Sequence, residues 1–183
     1  MSNLGNRIKQ YEAVMARQAM PRMPVMIRVD GRDFHTFTRM CGKPFDKSLM
    51  QAMVVAAKIT AFDMQGFKCA YVQSDEASFV LTDYDTLETQ GWFGYDLNKL
   101  ISISAATMSV EFNRFYSMLG NVGALQVFDS RVFNVPKEDV VNALLWRAQD
   151  WQRNSLQMYC RSFFHIGNYI IKTQQPCTKC CLQ

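Results

Sequence analysis

The sequence predicts an α+β fold of ferredoxin-like topology, an antiparallel sheet with helices on one face. Three observations carry that expectation. Short β-rich runs alternate with long stretches of helical apolar spacing in the order β-α-β-β-α-β, with one more helix behind them. Two of the runs flank a short polar bend and read as a hairpin. Of 183 residues, 49% are hydrophobic, which is enough for one sizeable core and argues against disorder.

The elements follow in chain order. The first 20 residues read as a helix of mixed polarity, ended by Pro21 and Pro24. Val25-Met26-Ile27-Arg28-Val29 is a β-rich run closing on the turn signal Asp30-Gly31. After a loop, Asp46 can cap a helix in which Leu49, Met53, Ala57, Ala61 and Met64 recur at helical spacing until Gly66. Cys69 to Val72 and Ala77 to Leu81 form the hairpin around Gln73-Ser74-Asp75-Glu76. From Tyr95 to about Tyr116, Leu97, Ile101, Ala105, Met108 and Phe112 mark a second amphipathic helix. Two further β-like runs, Leu125 to Asp129 and Val132 to Val135, precede a last helix from about Lys137 to Arg161.

Charge and cysteine usage bound the function. The net charge is +4, too small to identify a nucleic-acid binder by itself. It is concentrated: from Val140 onward Arg147, Arg153, Arg161, Lys172 and Lys179 face one acid, Asp150, so a phosphate-rich partner could dock there. The same charges also suit a solvated helix face and a loose tail. No targeting segment and no run long enough to span a membrane is visible, which predicts a cytoplasmic protein. Cys41, Cys69 and Cys160 are scattered and read as reduced thiols. Cys177, Cys180 and Cys181 lack the second ligand pair that zinc needs and read as part of an unpacked tail.

Two acidic spots carry the chemistry. Asp30 ends the first strand, and Asp75 and Glu76 sit at the hairpin tip. If these strands are neighbours, the three carboxylates converge at one sheet edge. Converging carboxylates repel unless a cation neutralises them, and Mg²⁺ favours a few carboxylates plus phosphate oxygens. Two such ions can activate an attacking hydroxyl and stabilise a leaving oxygen. Each acid alone reads more readily as an ordinary solvated turn residue, and the pairing in hairpin register is what gives the metal reading its weight. In Asp30-Gly31-Arg32-Asp33-Phe34-His35, Gly31 would let backbone approach a ligand, and successive N–H groups could hold phosphate. Lys43 and Lys99 could neutralise a triphosphate or be solvated. On the last helix Arg147, Asp150, Asn154 and Arg161 share one polar stripe, suited to base edges and phosphates or to an exposed, ion-paired face.

Taken together these motifs resemble the tRNA-histidine guanylyltransferase family. R-V-D-G-R-D-F-H, K-P-F-D-K-S-L, Q-S-D-E-A-S-F-V, W-F-x5-K, F-D-S-R-V and W-R-x-x-D-x-x-R-N-S occur in order from about Asn6 to Arg161. The R-N-S form is most similar to the family's reverse-polymerase members, the 3′-5′ tRNA repair enzymes. The resemblance implies a polymerase-palm domain over residues 1–161 and a divergent or unstructured tail over 162–183. It implies Mg²⁺-dependent addition of nucleotides, typically from GTP, to a tRNA 5′ end activated by ATP or by a triphosphate. Asp30, the Gly31 carbonyl and Asp75 would bind two Mg²⁺, with Glu76 in support. The backbone from Asp30 through Arg32, Asp33 and Phe34 to His35, with Ser74 and Asp75, would hold the triphosphate. Lys43 and Lys99 would touch phosphates, and Arg147, Asp150 and Asn154 would serve the nucleotide or the RNA end. A homo-oligomer, tetrameric by resemblance, is implied as well. Gln152 stands where eukaryotic members carry histidine, which favours templated 5′-end repair over strict single-guanylate addition. Two alternatives stand beside this: an RNA-binding remnant without catalysis, and a palm-type cyclase or polymerase that does not use tRNA.

Overall fold

A computed structural model describes residues 3–121 and 123–163. The sheet holds β1 (Val25–Gly31), β2 (Phe67–Gln73), β3 (Glu76–Leu81) and β4 (Phe128–Asn134) in the order β2-β3-β1-β4, every pairing antiparallel. The helices are α1 (Asn3–Val14), the single turn α2 (Phe34–Phe37), α3 (Lys47–Phe62), α4 (Leu97–Met118) and α5 (Val140–Phe163). The order in space is the one the βαββαβ reading requires.

Alternation along the strands separates the two faces. Val25, Ile27 and Val29 of β1 and Ala77, Phe79 and Leu81 of β3 point into the main core with α3 and α4. Asp46 caps α3 by accepting a hydrogen bond from the Leu49 N–H at 3.0 Å, a contact worth about 1 kcal/mol. The small residues Ala52, Ala56 and Ala57 are fully buried on α3 and let α4 approach closely. Phe34, Phe112 and Phe128 close one end of this core, with ring centroids 5.1–5.4 Å apart. Such aromatic edges add about 0.5–1.5 kcal/mol per pair beyond area burial.

Four expectations are corrected. The first helix stops at Val14, short of Pro21. Beyond it Gln18 bridges Asp96 and the Ala19 N–H donates to the Tyr95 carbonyl, so tertiary pairing outcompetes helix continuation. The two runs expected after α4 are one strand, β4, because only residues 128–134 find partners on β1. On α4 the buried stripe is Leu100, Ser104, Met108 and Phe112, and Ile101 is exposed. Helices also cover both faces. Val140, Ala143 and Leu144 of α5 pack on Met26, Val80 and Val135, on the side opposite α3 and α4.

The boundary at 161–162 falls inside the last turn of α5, which runs to Phe163, and the calls for Lys172, Lys179, Cys177, Cys180 and Cys181 lie outside the described residues. No described helix is long and apolar enough to cross a membrane.

Candidate active site

The register of β1 brings the acids together. Asp30 sits directly opposite Glu76 on β3 and, on its other side, opposite Asp129 on β4. The hairpin turns through Ser74, whose φ of 47° is left-handed, and the Gly31 N–H donates to the Asp75 carbonyl at 3.0 Å. β1 and the hairpin tip are thereby locked side by side.

The electrostatics show the cost of that convergence. Burial, followed by the charges of Asp75, Glu76 and Asp129, raises the Asp30 carboxyl from 3.8 to about 6, with Arg131 opposing. Burial also pushes Asp75 up, helped by Glu76 and opposed by hydrogen bonds from Ser74 and from its own backbone N–H. Two neighbouring carboxyls that both resist ionisation are a cluster short of positive charge.

Glu76 is handled differently. It is buried, and Arg147 of α5 donates to both of its oxygens, Nε to Oε1 at 2.8 Å and Nη2 to Oε2 at 2.6 Å. With the Gln73 amide oriented to satisfy its surroundings, it donates to the Arg147 carbonyl at 2.7 Å and accepts from Nη2 at 2.9 Å. Asp150 adds a second carboxylate 3.3 Å from Arg147 Nη2. This bidentate pair fastens α5 to the hairpin.

Between the hairpin, the loop before α3 and α5 lies a cleft of about 360 Å³. Asp30, Lys43, Ser74, Asp75, Glu76, Arg147, Asp150 and Asn154 all line it. Its walls are apolar and aromatic, with the rings of Phe45 and Trp151 5.8 Å apart. The Lys43 ammonium donates to the Thr38 carbonyl at 2.8 Å and stands at the rim.

The remaining expected residues lie elsewhere. Arg32, Asp33 and His35 are exposed outside the cleft lining, Arg32 and Asp33 forming a pair at 3.6 Å. Phe34 is a core residue, only 2% exposed. It also explains Gly31: a Cβ there would fall 2.2–2.7 Å from the Phe34 ring. The glycine makes room for this chain's own phenylalanine, which corrects the reason expected from sequence. Lys99 is on the first turn of α4, stacked 6.0 Å from the Phe93 ring. It is 13 residues before Phe112, roughly 20 Å along the helix, and does not line the cleft.

Sequence reasoning gave no role to Gln73, Trp151 or Asp129. The F-D-S-R-V motif contained Asp129, but only the β1–β4 register shows that it faces Asp30.

The donors present fit a hard cation. Among the described residues no three His, Cys, Asp or Glu side chains are gathered at ligating geometry. Glu76 is engaged by Arg147, and Asp129 leans on Arg131 at 3.8 Å. Asp30 and Asp75 remain as anionic donors, the small carboxylate set that Mg²⁺ accepts when phosphate oxygens complete its shell.

Comparison with known proteins gives a consistent picture. The family model for tRNAHis guanylyltransferase matches residues 5–136. A bacterial tRNA(His) guanylyltransferase-like protein solved with ATP superposes with a TM-score of 0.86 at 39% identity, covering 88% of this chain and 71% of that one. Its GTP complex gives 0.85, also at 39% identity, over 87% and 76%. Among curated sequences, an uncharacterized protein of Acanthamoeba polyphaga mimivirus is 30% identical over 88% of this chain and 63% of its own length. The tRNA(His) guanylyltransferase of Schizosaccharomyces pombe is 30% identical over 81% and 56%. The chain therefore spans less than two thirds of the curated relatives it matches.

Proposed function

The chain belongs to the tRNA-histidine guanylyltransferase family, and from that membership we propose that it is a Mg²⁺-dependent nucleotidyltransferase extending the 5′ end of a tRNA. The observation that carries this reading is the placement of Asp30 and Asp75 side by side at the mouth of a nucleotide-sized cleft. Relatives solved with ATP and with GTP make a nucleoside triphosphate the natural occupant.

Asp30 and Asp75, with the Gly31 carbonyl, would hold Mg²⁺, and Glu76 keeps the hairpin in register through Arg147. When bound, Mg²⁺ supplies activation of the attacking 3′-hydroxyl and neutralisation of charge on the phosphates. Lys43 at the rim neutralises the triphosphate, together with backbone N–H groups of the Asp33–His35 turn and Ser74, those of Gly31 and Arg32 being spent on the Asp75 and Val127 carbonyls. Asp150 and Asn154 face the cleft from α5, where they can accept from and donate to base or ribose edges. Positioning and charge neutralisation supply most of what phosphoryl transfer needs. The Gln152 position favours templated 5′-end repair as the form of the reaction.

The test is a turnover assay with labelled GTP and 5′-truncated tRNAs, varying the template base opposite the missing position. Incorporation that follows the template base supports repair. A labelled cyclic product without RNA labelling rejects the proposal, as does RNA binding without any incorporation.

A further inference from the structure

Strand β4 is an edge of the sheet, paired to β1 on one side only. The residues that lead into it are held by polar side chains of α4. Asn113 takes both backbone groups of Gln126: its Nδ2 donates to the Gln126 carbonyl at 2.7 Å, and its Oδ1 accepts from the Gln126 N–H at 2.8 Å. The second Nδ2 hydrogen goes to the Ser109 carbonyl at 2.6 Å. Ser109 donates its hydroxyl hydrogen to the Ala105 carbonyl at 2.7 Å and accepts the Phe128 N–H at 3.0 Å. Ser104 gives its hydrogen to the Leu100 carbonyl at 2.6 Å, so the 2.7 Å contact with Ser130 is donated by Ser130. The spacings of helix and strand agree. From Ser104 to Asn113 the helix rises about 13.5 Å, and from Ser130 back to Gln126 an extended chain covers about 13 Å. Gln126 is buried while its neighbours Leu125 and Val127 are exposed, so Asn113 ties down a connection that is otherwise open to water.

What these side chains hold lies against the acids. Gly31 and Phe128 are the last pair in the β1–β4 register, and beyond them the Arg32 N–H donates to the Val127 carbonyl at 2.8 Å. On its other side Gly31 donates to the Asp75 carbonyl, so the end of β1 is gripped between the hairpin tip and residues 127–128. Asp30 and the Gly31 carbonyl, the donors that would hold Mg²⁺, stand on that end. The hairpin side is secured by the Glu76–Arg147 pair. On the β4 side no further strand backs residues 127–128, and Asn113 and Ser109 do that work. Neither residue lines the cleft. A metal site needs its donors within about 0.5 Å of their working positions, so what fixes the backbone under them matters to it.

We propose that Asn113 and Ser109 are positioning residues of the metal site, setting through Val127 and Arg32 where Asp30 and the Gly31 carbonyl stand. The role rests on the nucleotidyltransferase reading, in which those donors hold Mg²⁺. Removing either side chain leaves β4 paired with β1 but releases the segment that grips Arg32. The donors then spend less time in ligating geometry, and excess metal compensates. The loss therefore shows as a higher Mg²⁺ requirement rather than as a slower reaction at saturating metal. A merely structural role would lower Tm and leave the Mg²⁺ requirement where it was.

The test follows the Mg²⁺ concentration for half-maximal nucleotide addition to a 5′-truncated tRNA at saturating GTP. It also follows the rise in Tm that Mg²⁺ produces without RNA or nucleotide. Wild type is compared with Asn113→Ala, Ser109→Ala and Ser109→Thr, the last of which keeps the hydroxyl. Gly66→Ala, strained at the far end of the hairpin from Asp75, controls for lost stability alone. Asn113→Ala and Ser109→Ala should each raise the half-maximal Mg²⁺ about fivefold or more and shrink the Mg²⁺-induced rise in Tm. Their kcat at saturating Mg²⁺ should stay within about threefold of wild type. Ser109→Thr should restore both readings. Gly66→Ala should lower Tm and keep the half-maximal Mg²⁺ within about twofold of wild type. Should Asn113→Ala fail to fold, the contrast between Ser109→Ala and Ser109→Thr decides. An unchanged Mg²⁺ requirement overturns the positioning role, and so does a shift of equal size in Gly66→Ala. If wild type adds nucleotides and the variants match it, only the positioning role falls. If wild type adds none, while its Mg²⁺-induced rise in Tm shrinks in the alanine variants and returns in Ser109→Thr, only the nucleotidyltransferase reading falls. A wild type that neither adds nucleotides nor responds to Mg²⁺ removes both.

Discussion

Replacing Asp30 with Asn should stabilise the metal-free protein while abolishing its activity. The Asp30 carboxyl is raised from 3.8 to about 6 by burial and by three neighbouring acids. In full that rise corresponds to about 3 kcal/mol, at 1.36 kcal/mol per pH unit. Asp30 is only half-buried, so solvent screening reduces the expectation to about 1–2 kcal/mol. The sign follows from linkage. A carboxyl whose folded pKa is raised leaves stability intact below about pH 3.8, and that stability is lost as pH rises through about 6. Asparagine never ionises, so the gap between variant and wild type should open with pH. About half of it should be present near pH 5 and nearly all above pH 7. The assay is thermal or urea unfolding in EDTA at several pH values. For a chain of this size 1–2 kcal/mol corresponds to a Tm rise of about 3–6 °C. Millimolar Mg²⁺ should raise the Tm of wild type and leave Asp30→Asn unmoved. A variant less stable than wild type at pH 8, or a gap independent of pH, would refute the electrostatic account of this site.

Three other outcomes are expected. Asp75→Ala should abolish nucleotide addition and keep RNA affinity within about threefold of wild type; equal turnover in both proteins would remove its metal role. Arg147→Ala leaves the buried Glu76 carboxylate unpaired and should cost about 3–5 kcal/mol in urea unfolding, with much of that recovered in the double variant Arg147→Ala/Glu76→Gln. An additive double variant would show that the two residues do not act as a pair. Gly66→Ala, at a φ of 79° and with its Cβ 2.2 Å from the Thr82 carbonyl oxygen, should destabilise by at least about 2 kcal/mol by the same measurement.

Local physics explains what could be read in the sequence. Period and punctuation are properties of neighbouring residues, so β1, the hairpin, α3 and the span of α4 are legible without coordinates. The Asp46 cap was legible for the same reason, since its partner, Leu49, is three residues away. The length of α1 was not, because it is set by a bridge to Asp96, 78 positions after Gln18. Motif order along the chain also established the family, which the match over residues 5–136 bears out.

What the fold alone decided are the pairings. The sequence determined that Asp30, Asp75 and Glu76 are acids at strand ends. It could not determine that Arg147 would claim Glu76 across 71 positions, or that Asp129 would face Asp30. It placed Arg28 and Arg131 on separate strands, and only the antiparallel register set them opposite each other. The reason is that side-chain charge is fixed by residue type, whereas a carboxyl's pKa and its partners depend on distances of a few ångströms between segments remote in sequence, which come into being only when the core under the sheet is packed.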